Sequence, residues 1–352
     1  MSLHNINNIN INININNINN INNIIDKEIY KIIKNNKNCN ILNNSDDIIN
    51  KNKTINKNII IDRLSKINNN RTILEYLMKI PVIEQRTKEW FEARDTRLTA
   101  SNLCDAIKNG VVSDKIAKKK AKILIDNTNY NNVPALKWGT MFEPMASRCY
   151  SQINNDIIIY DFGLICDKNI LNFGASPDGI NELGTMIEIK CPISRKIIDG
   201  VIPEKYKMQI QGQLAVCNLT DCDYVECDFN EILSEEEYKI KNPIGNMNHG
   251  IIAQYQSKGE YIYLYSDPYL NSNDCCNNIK NKVDMYINSN ATFGKLIYWE
   301  LNLINVQRET FNKEEWVKIE PLINEFWKKV EKYKMMPVED NTKKFKFIDD
   351  ND

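Results

Sequence analysis

Histidine is almost missing from this chain. Its 352 residues include two, His4 and His249. Ser-His-Asp catalysis, histidine-rich zinc centres and histidine-dependent nuclease motifs would all have to run through His249, and no partner pattern surrounds it. An excess of positive charge is also missing. The 45 Lys and Arg against 46 Asp and Glu leave a net charge of −1, so binding to nucleic acid has to come from local basic patches. No apolar run approaches the length of a membrane span. No basic region followed by a continuous apolar one marks a secretory leader. No Gly-x-x-x-x-Gly-Lys-[Ser/Thr] loop is present, which argues against ATP hydrolysis by the chain itself. Cysteine is plentiful, with ten, but none forms a Cys-x-x-Cys pair. Many lie in strand-like or helical apolar segments, which suits free thiols in a reducing compartment.

Residues 5 to 25 contain only Asn and Ile. Such tracts are disordered or prone to β-aggregation, although Ile-Asn alternation formally matches a strand. Residues 26 to 68 stay rich in Asn and Lys and show no chemistry. The expected organisation is an Asn/Ile-rich, disordered extension over 1–70, a globular domain over 71–340 and an acidic tail over 341–352.

The stretch that organises the chain is Gly174 to Pro192, which reads as two strands joined by a turn. Asp178 sits in a Pro-Asp-Gly turn at the end of the first strand. In the second, Met186 to Cys191, side chains alternate. Glu188 and Lys190 therefore share one face, while Ile187 and Ile189 enter a core. A carboxylate and an ammonium on a largely apolar strand are costly to bury unless paired or bound to metal. Two converging carboxylates with an open edge can hold Mg²⁺, which takes oxygen ligands and keeps several waters. A lysine beside that ion can position or deprotonate a water, as metal-assisted phosphodiester hydrolysis requires. Asp178, nine intervening residues, then Glu188-x-Lys190 is the signature of the PD-(D/E)xK nuclease superfamily. A solvated strand face is the bland alternative.

The flanks add to this. Thr72 to Met78 reads as a short helix. Thr87 is placed as the N-cap of the next, with Trp90 and Phe91 as core anchors and Arg94 one turn beyond Trp90. Thr99 or Ser101 opens another helix, whose free N–H groups suit a phosphate or an ordinary cap. Residues 113 to 126 form a basic amphipathic helix. Its Lys118 and Lys119 read as a solvated face or as a track for a DNA backbone. Trp138 to Ala146 starts a further helix with Glu143 in its first turn, as a helix-dipole partner or pointing at the metal. From Pro203 to about Asn218, Tyr206, Gln209 and Gln213 share a helical face. At least one of Gln209 and Gln211 is expected to face a site. A strand over Tyr224 to Phe229 follows. Beyond residue 231, Tyr261 to Tyr265 reads as a strand and Lys313 to Lys334 as a helix packed through Trp316, Ile319, Phe326 and Trp327. The order helix, three strands, helix, strand is that of a restriction-endonuclease-like α/β/α core with a central mixed sheet, here with extra N- and C-terminal helices.

Five pieces in order resemble the λ-type exonuclease and YqaJ-like viral recombinase family. They are Trp90-x-x-x-Arg94 with Thr99-Ala100-Ser101; Trp138-Gly139-x-x-Phe142-Glu143; Ser176-Pro177-Asp178-Gly179; Glu188-Ile189-Lys190-Cys191-Pro192 with Ser194-Arg195; and Tyr206-x-x-Gln209-x-Gln211. The Asn and Ile bias is similar to that of a mimivirus-like large DNA virus with an AT-rich genome. The resemblance implies a 5′-to-3′ exonuclease on double-stranded DNA ends, dependent on Mg²⁺ with Mn²⁺ able to substitute. Asp178, Glu188 and the Ile189 carbonyl would ligate the metal, and Glu143 would complete its shell. Lys190 would position or activate water, with Gln209 orienting water or Lys190. Arg94, Thr99, Ser101 and Ser176 would hold a 5′-terminal phosphate, and Arg195 a backbone phosphate. Implied partners are DNA ends, a single-strand annealing protein or helicase, and further copies of the chain. The expected location is the host cytoplasm at a viral replication site or the nucleus, with no membrane association. Two rivals stand beside this reading. One is a CRISPR-associated nuclease of the same superfamily with an Fe–S cluster on four cysteines, against which the cysteine spacing argues. The other is a catalytically dead DNA-end binder, which should have lost one of Glu143, Asp178, Glu188 or Lys190.

Overall fold

The computed structural model describes residues 25–27, 29–31, 57–83, 85, 87–124, 133–286 and 290–337. In chain order, helix α1 covers Lys57–Leu77 and α2 covers Lys88–Asp95. Strand β1 is Leu98–Thr99, followed by α3 (Ala100–Ile107), α4 (Val111–Lys120) and α5 (Pro134–Ile153). Then come β2 (Ile159–Tyr160), β3 (Ile165–Cys166), β4 (Phe173–Ala175), β5 (Gly179–Asn181), β6 (Met186–Lys190), α6 (Glu204–Cys217) and β7 (Asp221–Ile232). The remainder is α7 (Glu235–Lys241), β8 (His249–Ser257), β9 (Glu260–Tyr265), α8 (Ser272–Met285), β10 (Thr292–Thr310) and α9 (Lys313–Lys334).

A seven-stranded mixed sheet in the order β2-β5-β6-β7-β10-β8-β9 forms the spine, and a small sheet β1-β4-β3 stands beside it. Strands β5 and β6 are antiparallel neighbours. Strand β6 runs parallel to β7, with α6 as the crossover that a parallel pair requires. Alternation along β6 sorts its side chains between two cores. Ile187 and Ile189 join α5 residues Phe142, Met145 and Ala146 on one face. Met186 joins Ile210 and Leu214 of α6 on the other. The sheet is thus covered on both faces around β6, and the α/β class with added terminal helices is as expected.

Several expectations are corrected. Asp178 does not make the hairpin turn. It lies in the short link where the chain leaves β4 in the small sheet and enters β5 in the large one. The β5–β6 reversal is made at residues 182–185, where Gly184 has φ +73 and its missing side chain admits the Asn70 backbone. The first helix begins at Lys57, so a boundary at residue 70 falls inside it, and Ile60, Leu64 and Ile67 are buried. Ile25 and Ile29 are buried in the same core. Hydrophobic residues spaced along one face, more than the Asn-rich composition, decide this helix. Phe91 is exposed and packs edge-on against buried Trp90, so only Trp90 anchors α2. Glu143 sits inside the 20-residue helix α5, well past its first turn, and a dipole role does not apply. Residues 5–24, the end of the basic helix beyond residue 124 and the tail from residue 338 lie outside the described residues. Helix α9 and strand β9 stand where expected, with Trp316 and Phe326 buried and Ile319 and Trp327 partly so.

Candidate active site

The β4–β5 link, β6 and α6 bring the first group of side chains together. Glu188 points from β6 towards α6 and is 1% exposed. Its Oε1 accepts from Gln209 Nε2 at 2.6 Å and its Oε2 from Gln213 Nε2 at 2.7 Å. Lys190, two residues along the same face, pairs with Glu188 Oε1. Burial alone would lower the Lys190 ammonium, but the charges of Glu188 and Asp178 outweigh it and hold the group protonated. Its Nζ also lies 5.1 Å from the centre of the Tyr206 ring.

Asp178 accepts from the Ile189 main-chain N–H at 2.7 Å, which locks the link against the middle of β6. Its carboxyl is pushed well above the usual carboxylate range, first by burial and then by the charges of Glu188 and Glu143. Glu143 of α5 and Glu188 of β6 therefore both repel the charge of Asp178. A cation among them would relieve that repulsion, and the available oxygens are of the kind Mg²⁺ takes. Among the described residues no three His, Cys, Asp or Glu side chains are gathered tightly enough to hold an ion by themselves. A hard cation that keeps several waters needs only one or two carboxylates, so the donor set fits in chemistry.

A second cluster lies on the other side of the β4–β5 link. Thr87 caps α2 by accepting from Trp90 N. The buried Trp90 indole donates to Ser176 Oγ at 3.3 Å, two residues before Asp178. The Arg94 guanidinium lies 4.2 Å from the Trp90 ring centre. Its Nη2 is 3.5 Å from both Thr99 Oγ1 and Ser101 Oγ, and these two hydroxyls are 3.1 Å apart. Thr99 occupies the N-cap of α3 but makes no side-chain cap there; its hydroxyl is turned to Ser101 and Arg94. Burial lowers the Arg94 guanidinium from its ordinary value. Arg94, Thr99 and Ser101 are thus in direct contact, and Ser176 is tied to them through Trp90.

The remaining residues expected at the site are placed differently. Arg195 pairs with Glu226, a fully buried carboxylate on β7 that also accepts from Tyr224 OH at 2.9 Å. Glu226 Oε2 is buried and has no hydrogen-bond partner. Lys118 lies 5.5 Å from the centre of the Tyr333 ring of α9, which ties part of the basic face to the C-terminal helix. Gln211 turns away from the site and donates to Glu309 and to the Thr310 carbonyl. His249 is buried, with its ring nitrogens against Tyr238 OH and the Ile244 carbonyl.

Three further residues stand at these groups without having been assigned a role. Gln213 was visible on the face of Tyr206 and Gln209, and that periodicity was its signal. Glu226 showed itself only as an acid alternating with buried residues on a strand. Lys120 left no signal, because its contact crosses 26 positions: its Nζ donates to the Arg94 carbonyl at 2.6 Å. Burial drives the Lys120 ammonium down to about 8, with Asp95 opposing and Arg94 and Lys119 adding to the fall.

Residues 89–223 match the family model of the YqaJ-like viral recombinase domain. The matched stretch holds every acidic, lysine and arginine position of the two clusters. An uncharacterised protein of Acanthamoeba polyphaga mimivirus is 26% identical over 303 residues, covering 73% of this chain and 54% of that protein. The chain thus spans about half the length of this curated relative. Among solved structures, an alkaline exonuclease from Laribacter hongkongensis aligns at 20% identity over 70% of this chain and 93% of that one, with a TM-score of 0.42. A phage-related exonuclease from Haemophilus somnus aligns at 11% identity over 67% and 94%, with a TM-score of 0.39. Among the described residues no helix is long and apolar enough to cross a membrane.

Proposed function

We propose that the chain is a metal-dependent deoxyribonuclease that hydrolyses double-stranded DNA from 5′ ends. The observation that supports this best is the adjacency of the two clusters. One short link carries Ser176 towards the arginine pocket and Asp178 towards Glu188 and Lys190. A terminal phosphate held by Arg94 would therefore place a phosphodiester near the carboxylates. Asp178, Glu143 and Glu188 with the Ile189 carbonyl would hold Mg²⁺ or Mn²⁺, which supplies charge neutralisation and an acidified water when bound. Lys190, kept protonated by its acidic neighbours, positions that water or neutralises charge on the phosphate. Gln209 and Gln213 fix the Glu188 carboxylate from both oxygens, so its plane is set before substrate arrives. The reading extends to a role in viral recombination or repair beside an annealing protein or helicase.

Lys190→Met is expected to lower the cleavage rate by about 10²–10⁴-fold, the usual range for a positioned proton-handling group. Metal affinity should change little, since the lysine is a counter-charge and not a ligand. Single-turnover rates at saturating Mg²⁺ measure this. A near-wild-type rate would reduce Lys190 to an ion-pair partner of Glu188.

The end-directed part of the proposal has its own test. Wild type should cleave 5′-phosphorylated linear duplex faster than the same duplex with a 5′-hydroxyl. Arginine grips a terminal phosphate with charge-assisted hydrogen bonds, so Arg94→Ala should remove about 10-fold or more of that preference. Four initial rates at fixed salt decide it, with closed circular DNA as the control. Equal wild-type rates on both ends, or cleavage of circles as fast as of linear duplex, would turn the reading to an endonuclease.

A further inference from the structure

A second cation is held at the backbone of Arg94, and the sequence motif accounts only for the first. Arg94 comes from the last turn of α2, and Lys120 is the final residue of α4. Lys120 reaches back to donate to the Arg94 main-chain carbonyl, which brings its ammonium near enough for the Arg94 charge to act on it. Among the described residues neither side chain takes part in an ion pair. The only acid acting on both is Asp95, which is exposed. Arg94 has only two hydroxyls near its guanidinium, each at the outer limit of a hydrogen bond. Partly buried cations set side by side repel each other and have lost water, and a dry pocket amplifies both effects. Such an arrangement is stable in the apoprotein at a cost, and a doubly charged anion between the two groups offsets it.

We propose that Lys120 is a specificity-determining residue that makes this pocket select a terminal phosphate dianion over an internal phosphodiester. The proposal rests on the reading of the Arg94 pocket as an end-binding site. An internal diester carries one charge and is matched by Arg94 alone. A terminal monoester carries a second charge at neutral pH, and Lys120 supplies the second cation. The depressed Lys120 ammonium agrees with a group waiting for its counter-ion, because an anion beside it would restore its proton affinity. Lys119 and Lys118, one and two residues earlier, should respond to any DNA backbone alike.

The test is equilibrium binding in EDTA, where no cleavage interferes. Two duplexes of one sequence serve as probes, with a 5′-phosphate and with a 5′-hydroxyl. The affinity ratio between them is measured for wild type, Lys120→Met and Lys120→Arg. The methionine variant should lower the ratio about tenfold, as loss of a charge-assisted hydrogen bond does. The arginine variant should keep most of it. A methionine variant that retains the wild-type ratio overturns the role of Lys120 and leaves the end-binding site standing. Equal wild-type affinities for the two ends overturn both. A second measurement needs no variant, so a folding defect cannot obscure the result. Amine acylation of the wild-type protein, read by mass spectrometry, should show Lys120 protected by the phosphorylated duplex and not by the hydroxyl one. Protection of Lys120 by both duplexes to the same degree would count against the proposal.

Discussion

Asp178→Asn is expected to abolish most DNA cleavage while leaving the protein at least as stable as wild type. The two effects have one origin. The Asp178 carboxylate is half-buried and loses water beside Glu188 and Glu143, so its proton is held more tightly in the folded chain than in the unfolded one. A group with a raised folded pKa favours folding fully below its unfolded value and loses that contribution as pH rises through the folded value. At neutral pH the ionised group is therefore a source of strain that an amide lacks. The same charge is what would hold a divalent cation. Metal-ion stabilisation of the transition state amounts to several kcal/mol, so its loss lowers the rate by about 10³-fold or more. Glu188→Gln should lose activity to a similar extent without the gain in stability, because its two oxygens accept from Lys190, Gln209 and Gln213. Initial rates with Mg²⁺ and thermal melts of the three proteins are the measurements. An Asp178→Asn protein that cleaves within tenfold of wild type sinks the site assignment, and one that melts several degrees lower sinks the electrostatic account of it.

Arg308→Met is expected to destabilise the fold by about 3–5 kcal/mol, the usual result of removing one partner from a buried ionic network. Arg308 is buried on β10 and hydrogen-bonds Asp223 and Asp26. Arg63 of α1 bonds Asp26 on one side and Asp221 on the other. Tyr150 adds a bond of 2.6 Å to Asp223. Without Arg308, Arg63 still bonds Asp26 and Asp221, while Asp223 loses its guanidinium and keeps the Tyr150 hydroxyl. Burial opposes ionisation of Asp221, but Arg308 and Arg63 outweigh it and hold its carboxyl below the ordinary range. Such a group adds stability above the unfolded value of about 3.9, and that stability is lost as pH falls through the lower folded value. The variant should therefore unfold at a higher pH during acid titration. Urea unfolding followed by circular dichroism measures the first effect. A loss under about 1 kcal/mol would show that the network contributes little.

How much of this was legible in the sequence depended on the range of each interaction. The β6 pattern, Thr87 as a cap, the face of Gln209 and the span of α9 follow from spacing within one element, and periodicity records such spacing. The turn at Asp178 was misplaced because Pro-Asp-Gly is a local turn signal, while the chain there changes sheets. Phe91 was assigned to the core on composition, but α2 is two turns long and buries one face only. Lys120 at Arg94, Arg195 at Glu226 and Arg63 at Asp26 are contacts between elements far apart in the chain, and no single-sequence pattern encodes them. The long strand β10 carries no short motif at all, yet it is the neighbour of both β7 and β8.

The aspartate-arginine network also sets an order of events. Asp26 and Arg308 are 282 positions apart. A ribosome makes the first about 280 residues before the second, and sequence-distant contacts close slowly after that. Every acidic and basic residue assigned to the two clusters is translated before Arg308. The candidate site therefore has all of its own side chains while the ionic clamp is still unclosed, and that clamp cannot close until β10 has been added.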